Sequence, residues 1–549
     1  MKSFTLNSAA AAASLVFCCL FSVTSAQTAS TASPDRGSAA TDAVELSPFV
    51  VNESSETGWV ANETLAGTRL RTEYKDLANQ IETLTKDFMQ DLGLTNFEDA
   101  LIYTSNTENI SEYQISTLAN QVNFPNEVGR MRGVGTGTKT RNFFQIHNPT
   151  DNYNLDRVTI ASGPNAILFG LGSPSGIMDA TPARARTNRN HYGFELRYDT
   201  QDSRRASFDA NVAVLPNKLA LRVMGVSKDS YTNKKPNFDK DDRLYGALTF
   251  RPFKNTTLVL QAEESNRRVD RSARNTPVDL VTPWINAGSI TGSGYSNRPI
   301  YNNTSLTGIA NNVIFAQQTA NPVLIQGDTG LMRSWNNSVV VKSPAQMPGV
   351  DPTFDRAAVF TILDPAVFPF DVNIVGTTHS NHLPSRTKTA MLEQKLADNL
   401  FLELAYNYEN SANELLALGG NGVGNNYSLS VDPNQYIPGT TTANPRAGEL
   451  YFQGTANSRL QYWKNEDWRA TLSYEIDLGR KLGDRRRWMK WFGRHRFAGL
   501  YTGSKEETRD QTFSRMILDD PVLPGVALRA KTFQNWATHP TRLPQFRHY

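Results

Sequence analysis

The chain has 549 residues, with 56 lysines and arginines against 53 aspartates and glutamates and a formal net charge of +3 at neutral pH. So small an excess of charge gives no global sign of a polyanionic partner such as nucleic acid. The length is sufficient for at least two domains.

Residues 1–26 predict a secretory signal peptide. Lys2 gives a positive start, an apolar stretch follows over residues 9–21, and Ala26 ends a small-residue cleavage site. A lipoprotein signal is disfavoured, because the bulky Phe17 precedes the two cysteines. Cleavage near Ala26 removes both cysteines, so the exported chain has no thiol for a disulfide, a nucleophile or a metal ligand.

Residues 27–59 predict a flexible tether that carries one apolar island. Residues 27–43 are small, polar and without periodicity, so they bury too little apolar surface to offset the entropy of ordering. The island is suited either to adding a strand to a partner's sheet edge or to forming the first strand of the following domain. Its members are Glu45, Leu46, Ser47, Pro48, Phe49, Val50 and Val51.

Residues 60–188 show a mixed α/β pattern. A short helix is expected between the N-cap Thr85 and Gly93, and a second one after a capping box of Thr95 and Glu98.

The most informative stretch covers residues 156–177 and reads DRVTIASGPNAILFGLGSPSGI. Val158 and Ile160 alternate with polar residues as in a strand, and Gly163-Pro164 is a turn signal. The apolar residues 166–169 are expected to be buried.

Residues 189–549 predict long antiparallel strands, because apolar and polar residues alternate with period two. Short turns alternate with long connections, notably residues 266–386 and 410–466, and this asymmetry is typical of transmembrane β-barrels. We count nine strands, and four hairpins are clear: 208–214 with 219–223, 244–251 with 257–264, 388–395 with 401–409, and 468–477 with 496–501.

The fourth hairpin contains a basic turn over residues 480–496, with three consecutive arginines and the neighbouring Trp488 and Trp491. Such a cluster fits nucleic acid, but it fits better the rim of a barrel at the membrane–water boundary, where cationic and aromatic side chains act as anchors.

Other sequence patterns give no support for an enzyme, a cofactor or a metal site. The glycine-rich stretch 133–140 differs from a phosphate-binding loop because Thr138 separates the last glycine from the lysine. His379 and His382 lie close together in a predicted external loop, where solvated histidines are the usual case. A nucleophile elbow of the form Gly-x-Ser-x-Gly does not occur.

Taken together, these features resemble the TonB-dependent outer-membrane receptors. The resemblance covers residues 45–260 well, and its motif residues are Arg132, Gly133, Asp156, Arg157, Gly163, Pro164, Gly170, Gly172 and Gly176. It implies a transmembrane antiparallel β-barrel, residues 189–549, whose lumen holds an N-terminal α/β plug domain, residues 60–188. The island at residues 45–51 then corresponds to the TonB box.

The same resemblance implies a function and partners. The expected activity is energised uptake of a scarce ligand: a siderophore, a vitamin-like cofactor or an oligosaccharide. The expected partners are a TonB-type periplasmic energising protein, outer-membrane lipid and that ligand. The implied location is the outer membrane of a Gram-negative-type bacterium, with no nucleic acid partner.

The chain also departs from the family pattern. Thr159 and Ser162 stand where the family has a glutamate and an arginine, and Ser175 stands where it has a glycine. The family's usual charge contacts between plug and barrel wall are therefore not expected at these positions.

The strand count is lower than the 22 strands of the family, and residues 540–549 lack an aromatic-terminated last strand. We therefore expect a truncated barrel. The alternatives are a non-transporting remnant in which only the plug folds, and a soluble exported β-rich binding protein.

Overall fold

The structure is a computed structural model of the chain. The residues that it describes are 48–49, 58–66, 70–77, 79–108, 130–135, 137–163, 174–270, 278–279, 281, 313–317, 322–325, 332–334, 337–341, 369, 371–372, 380–418, 428–432, 442–477, 493–514 and 545–548.

The first α-helix of the plug lies at the predicted place. Helix α1 (Lys86–Asp91) starts where the Thr85 hydroxyl accepts the backbone N–H of Phe88 at 3.2 Å. Gly93 follows with φ +69°, a conformation that glycine adopts without steric cost. The predicted cap and end of this helix are confirmed.

The second helix, α2 (Phe97–Leu101), starts one residue later than predicted. Its N-cap is Asn96, whose side chain accepts the backbone N–H of Asp99 at 2.8 Å. The predicted cap at Thr95 is wrong, because that hydroxyl donates to the Asp99 carboxylate instead.

Nine short strands complete the plug. They are β1 (Glu63–Thr64), β2 (Thr72–Glu73), β3 (Ile81–Thr85), β4 (Thr107–Glu108), β5 (Arg130–Met131), β6 (Thr138–Arg141), β7 (Phe144–Gln145), β8 (Leu155–Ser162) and β9 (Gly176–Pro182). Two further segments are 3-10 helices, Tyr74–Asp76 and Asn152–Asn154.

Five of these strands form one sheet in the order β3-β8-β9-β6-β7, in which only β6 and β9 run parallel. Seven of the eight residues of β8 are buried, so this strand is covered on both faces. One face packs on the two helices through buried apolar side chains, among them Leu84, Met89, Leu101, Val158, Ile160 and Met178.

The remaining strands are β10 (His191–Tyr198), β11 (Arg204–Leu215), β12 (Leu219–Tyr231), β13 (Phe238–Phe253), β14 (Thr256–Asp270), β15 (Val278–Asp279), β16 (Val313–Gln317), β17 (Pro322–Ile325), β18 (Met332–Ser334), β19 (Asn337–Val341), β20 (Ser380–Ala397), β21 (Leu400–Leu418), β22 (Ser428–Val431), β23 (Leu450–Asp477), β24 (Arg494–Ser514) and β25 (Gln545–His548).

Nine of them form a continuous antiparallel sheet, here called the wall, in the order β10-β11-β12-β13-β14-β20-β21-β23-β24. The four predicted hairpins are confirmed, and most of their strands extend beyond the predicted ends. Among the described residues, β10 and β24 have one full-length neighbour each. The predicted fold class, an antiparallel barrel wall with an α/β plug, is confirmed for this part of the chain.

The two faces of the wall differ in chemistry. The inner face, which contacts the plug, buries polar side chains such as Asn211, Gln261 and Glu409. The outer face exposes apolar side chains, including Leu221 at 44%, Leu404 at 42% and Trp468 at 44%. An apolar outer face and a polar inner face are the pattern of a strand that faces lipid on one side only.

The described helices are all short, and none has both the length and the apolar content needed to cross a bilayer.

Candidate functional site

The contact between plug and wall is built on buried charges. Arg141, at the end of β6, pairs with Glu263 on β14 inside the sheet, and both side chains are buried. Glu263 also accepts the hydroxyl of Tyr153 at 3.0 Å and lies 3.9 Å from Arg243. Burial, reinforced by the Glu263 carboxylate, raises the pKa of Tyr153 well above its ordinary value. The phenol therefore stays protonated and donates to the wall.

A strained turn follows this pair. Asn142 and Phe143 join β6 to β7 with φ of +51° and +60°, in the left-handed region that side chains avoid. The plug holds the turn through the Asp179 carboxylate, which accepts the backbone N–H of Phe143 at 2.6 Å. The wall holds it through Gln261, whose side chain accepts from the Asn142 amide at 2.9 Å. Backbone strain of this kind persists only where its surroundings over-determine it.

Arg469 on β23 joins the same turn to the opposite part of the wall. Its guanidinium donates to the carbonyl of Asn142 at 2.9 Å and to both carboxylate oxygens of Glu403, at 2.9 and 3.3 Å. It also lies 4.5 Å from the centre of the Phe144 ring. The planar guanidinium group of arginine, with its fork of N–H donors, is suited to this combination of bidentate pairing and ring stacking.

The segment after β7 is fixed by a single wall carboxylate. Glu409 on β21 is fully buried and accepts the backbone N–H groups of His147 and Asn148 at 3.0 to 3.1 Å. The imidazole of His147 stacks on the indole of Trp463 with centroids 5.3 Å apart. One carboxylate therefore satisfies two backbone donors of the plug.

Four further ion pairs join the wall to the plug and to the segment between β9 and β10. They are Arg184 with Glu393 at 2.7 Å, Asp151 with Arg205 at 2.5 Å, Lys86 with Asp209 at 3.3 Å, and Asp156 with Arg222 at 3.8 Å.

Charges therefore join the plug to the wall, although Thr159 and Ser162 carry none. Thr159 and Ser162 pair within the plug sheet, and the Thr159 hydroxyl lies 3.1 Å from that of Thr83. Charges from other positions make the contact instead: Lys86, Arg141, Asp151, Asp156 and Arg184.

The wall residues of these contacts could have been predicted in part from the sequence. Glu263 and Glu409 lie on the polar face of clearly alternating strands, where a carboxylate needs a partner. Their plug partners carry no such signal, because the segment 138–154 has no long period.

The predicted motif residues divide into three groups. Asp156 and Arg157 are buried within β8, and the Arg157 side chain donates to the carbonyl of Glu63 at 3.1 Å. Gly133, Gly163 and Gly176 have positive φ, as does Arg132 at +56°. Pro164, Gly170 and Gly172 lie outside the described residues. The role of these residues as a plug motif stays a prediction.

The candidate TonB box is described at two residues only. The carbonyl of Pro48 accepts the backbone N–H of Arg71 at 2.7 Å, and Phe49 is buried. Glu45, Leu46, Ser47, Val50 and Val51 lie outside the described residues, as do the predicted signal peptide and the basic turn at residues 480–492.

Within the described ranges, no group of three or more His, Cys, Asp or Glu side chains is arranged to hold a metal ion. The buried charges described above all serve the contact between plug and wall.

Comparison with solved structures identifies this architecture. The ferripyoverdine receptor of the outer membrane of Pseudomonas aeruginosa superposes with a TM-score of 0.53 at 13% identity, over 86% of this chain and 47% of the receptor. The ferric preacinetobactin receptor BauA of Acinetobacter baumannii gives a TM-score of 0.53 at 10% identity, over 86% of this chain and 52% of BauA. The chain has the fold of a TonB-dependent outer-membrane receptor.

A curated protein supports the same receptor fold. The ferrioxamine receptor of Yersinia enterocolitica is 23% identical over 244 residues, which is 41% of this chain and 32% of that receptor. No protein-family model matches the chain. The chain spans about half the length of the solved receptors that it resembles. The resemblance read from the plug sequence is confirmed.

Proposed function

We propose that this protein is a TonB-dependent outer-membrane receptor that takes up a ferric siderophore. The observation that carries the proposal is a plug fixed to the polar face of a sheet whose other face is apolar. Such a sheet is suited to lipid, and such a plug is suited to closing its lumen. The proteins that share the fold are receptors for ferrioxamine, ferripyoverdine and ferric preacinetobactin, which favours a siderophore over a vitamin or an oligosaccharide.

The strength of the contact between plug and wall supports an energised mechanism. Five ion pairs and the two bonds to Glu409 cross the contact, and most of these side chains are buried. Breaking one buried pair so that a charge is left alone costs about 3–5 kcal/mol. Thermal motion alone would displace such a plug rarely, so passage of a ligand requires external work.

We propose that this work enters through residues 45–51. The segment lies between a polar tether and the plug, and an extended apolar stretch offers backbone hydrogen bonds to the sheet edge of a partner. A TonB-type protein that holds the segment from the periplasm would pull on the chain that leads into the plug.

Uptake measurements test both parts of the proposal. The full chain is produced in a Gram-negative host that lacks receptors for the chelates supplied, and uptake of radioactive iron as ferrioxamine, ferripyoverdine or ferric preacinetobactin is followed. We expect uptake of at least one chelate, and its loss when residues 45–51 are deleted. Deletion of residues 34–40, equally long and within the tether, is the matched control and preserves uptake.

Two results would contradict the proposal. A chain that reaches the outer membrane but takes up none of the chelates defeats siderophore uptake. Uptake that survives deletion of residues 45–51 defeats the assignment of the TonB box.

A further inference from the structure

A large cavity lies between the plug and the first three strands of the wall. Its volume is about 590 Å³, which is within the usual range of ligand pockets. The plug contributes α1 and the 3-10 helix at Asn152–Asn154, and the wall contributes the inner faces of β10, β11 and β12. Of the ion pairs between plug and wall, two border this space with both of their side chains: Lys86 with Asp209 and Asp156 with Arg222.

The lining of the cavity follows β10 along most of the strand. Four successive inner-face residues of β10 line it: His191, Gly193, Glu195 and Arg197. At about 3.3 Å per residue, these positions span ~20 Å. The cavity therefore runs from the segment between β9 and β10 towards the turn that joins β10 to β11.

The lining carries more positive than negative charge. Lys86, Arg186, Arg189, Arg197, Arg205 and Arg222 face four acidic residues, Asp87, Asp156, Glu195 and Asp209. Asp151, outside the lining, pairs with Arg205, so six positive charges meet five negative ones. The Asp209 carboxylate pairs with two cations, since it accepts hydrogen bonds from Arg222 at 2.7 Å and from Lys86 at 3.3 Å. A cleft with low-dielectric walls concentrates the field of such an excess.

The structure also fixes the cationic end of the cavity. Arg186 and Arg189 lie on the segment that leaves the plug, and the buried Asn211 anchors this segment. The Asn211 side chain accepts the backbone N–H of Arg186 at 2.8 Å and donates to the carbonyls of Arg186 and Arg189 at 2.9 and 2.7 Å. Two arginines are thereby presented on a rigid backbone.

We infer that this cavity is a binding site for a ligand that bears carboxylate or other oxyanion groups. Arg186, Arg189 and Lys86 supply the donors. Its identification with the transported chelate rests on the proposed function. The site lies beside the plug, so it would hold the ligand after the ligand has left the outer surface.

Thiol labelling tests whether the cavity favours anionic molecules over cationic ones. The chain downstream of Cys19 has no cysteine, so a single introduced cysteine is the residue that reacts. The substitution Gly193→Cys suits the site, because a Cβ there meets only His191 Nε2 at 3.5 Å and Asp209 Cβ at 3.9 Å. The purified full-length chain is labelled with an anionic and a cationic methanethiosulfonate, and each rate is divided by the rate with 2-mercaptoethanol. We expect the normalised rate of the anionic reagent to be the higher one.

Two arginine substitutions, one inside and one outside the cavity, show whether the charges of the cavity cause the preference for the anionic reagent. Adding Arg189→Gln to the Gly193→Cys chain is expected to lower the ratio of anionic to cationic rates about threefold. Adding Arg204→Gln removes the same charge from an exposed side chain outside the cavity, and the ratio is expected to stay unchanged. A ratio of one or below, or equal effects of the two substitutions, would overturn the inference.

Protection by a simple oxyanion tests occupancy. Inorganic pyrophosphate is expected to slow labelling of the Gly193→Cys chain more than sodium chloride does at the same ionic strength, and equal slowing would overturn the inference. These measurements use detergent solution without an energy source, so they are independent of uptake. Selective labelling without uptake refutes only the proposed function, and uptake with unselective labelling refutes only the anion site.

Discussion

Glu409 connects the plug to the wall with a single carboxylate that accepts two backbone N–H groups. In the variant Glu409→Ala both donors lose their acceptor inside a buried region, at a cost of about 1–3 kcal/mol for each unsatisfied group. We expect amide hydrogen exchange in residues 144–150 to accelerate about tenfold or more. Mass spectrometry of peptides from the detergent-solubilised chain measures this rate.

The matched control is Glu414→Ala on the same strand. Its carboxylate is half exposed and pairs with His382 at 3.1 Å, away from the plug. Exchange in residues 144–150 is expected to stay unchanged in this variant. Equal acceleration in both variants would show a general loosening of the wall and would contradict the role of Glu409.

Arg469 makes three kinds of contact at once, so a lysine at this position cannot replace it. The variant Arg469→Lys keeps the charge but loses the bidentate pair with Glu403 and the stacking on Phe144. We expect a lower midpoint of thermal unfolding, measured by circular dichroism in detergent. The double variant Arg469→Met with Glu403→Leu removes both charges, and it is expected to be more stable than Arg469→Met alone.

At the scale of single residues, the sequence predicted wall positions better than plug positions. Glu263 and Glu409 lie on strands whose alternation marks one face as polar, so their inward direction follows from the period. Arg141 ends a four-residue strand just before a strained turn, and His147 lies on an irregular segment. Their pairing depends on contacts 122 and 262 residues apart along the chain, which no local pattern encodes.

Among the secondary-structure elements, the pairing of β8 with β9 depends on Gly176. This glycine has φ +132°, and a Cβ would collide with the backbone oxygen of Ala161. The variant Gly176→Ala therefore combines backbone strain with a clash that only movement of β8 can relieve. We expect a marked loss of thermal stability and faster exchange of the Ile177 amide, whose residue pairs with Ala161.

The variant Gly133→Ala separates the effect of backbone strain from the effect of the clash. Gly133 also has positive φ, +67°, but a Cβ there meets no heavy atom within 4 Å. Only the strain term remains, which is of the order of 1 kcal/mol. A loss of stability in Gly133→Ala as large as that in Gly176→Ala would contradict the proposed clash.

The long secondary-structure elements could be predicted from the sequence. The wall hairpins follow from period two and from short turns such as residues 216–218, and α1 follows from its cap and its glycine. The short strands β4 to β7 have two to four residues each, too few for a period to be recognised. Their place in the fold is set by tertiary partners: β6 lies parallel to β9, 38 residues downstream.

For the whole molecule, the two faces of the wall make opposite demands on the sequence. The inner face buries charges that are paired, either by the plug or within the wall itself, and the outer face tolerates none at its centre. Leu260 on β14 lies at this centre, between Leu248 of β13 and Ala390 of β20 in the strand register. Leu260 is 41% exposed on the outer face. In a protein surrounded by water, an exposed leucine at this position would contribute nothing to stability.

The variant Leu260→Arg decides whether lipid covers this face. A lipid-facing arginine near the middle of the bilayer costs about 2–4 kcal/mol, so less protein is expected in urea-washed outer membranes. Asp242→Arg, near the exposed end of the same face on β13, is the control and is expected to assemble normally. If the face contacted water, Leu260→Arg would leave the amount unchanged or raise the soluble fraction, and a lipid-facing wall would be refuted.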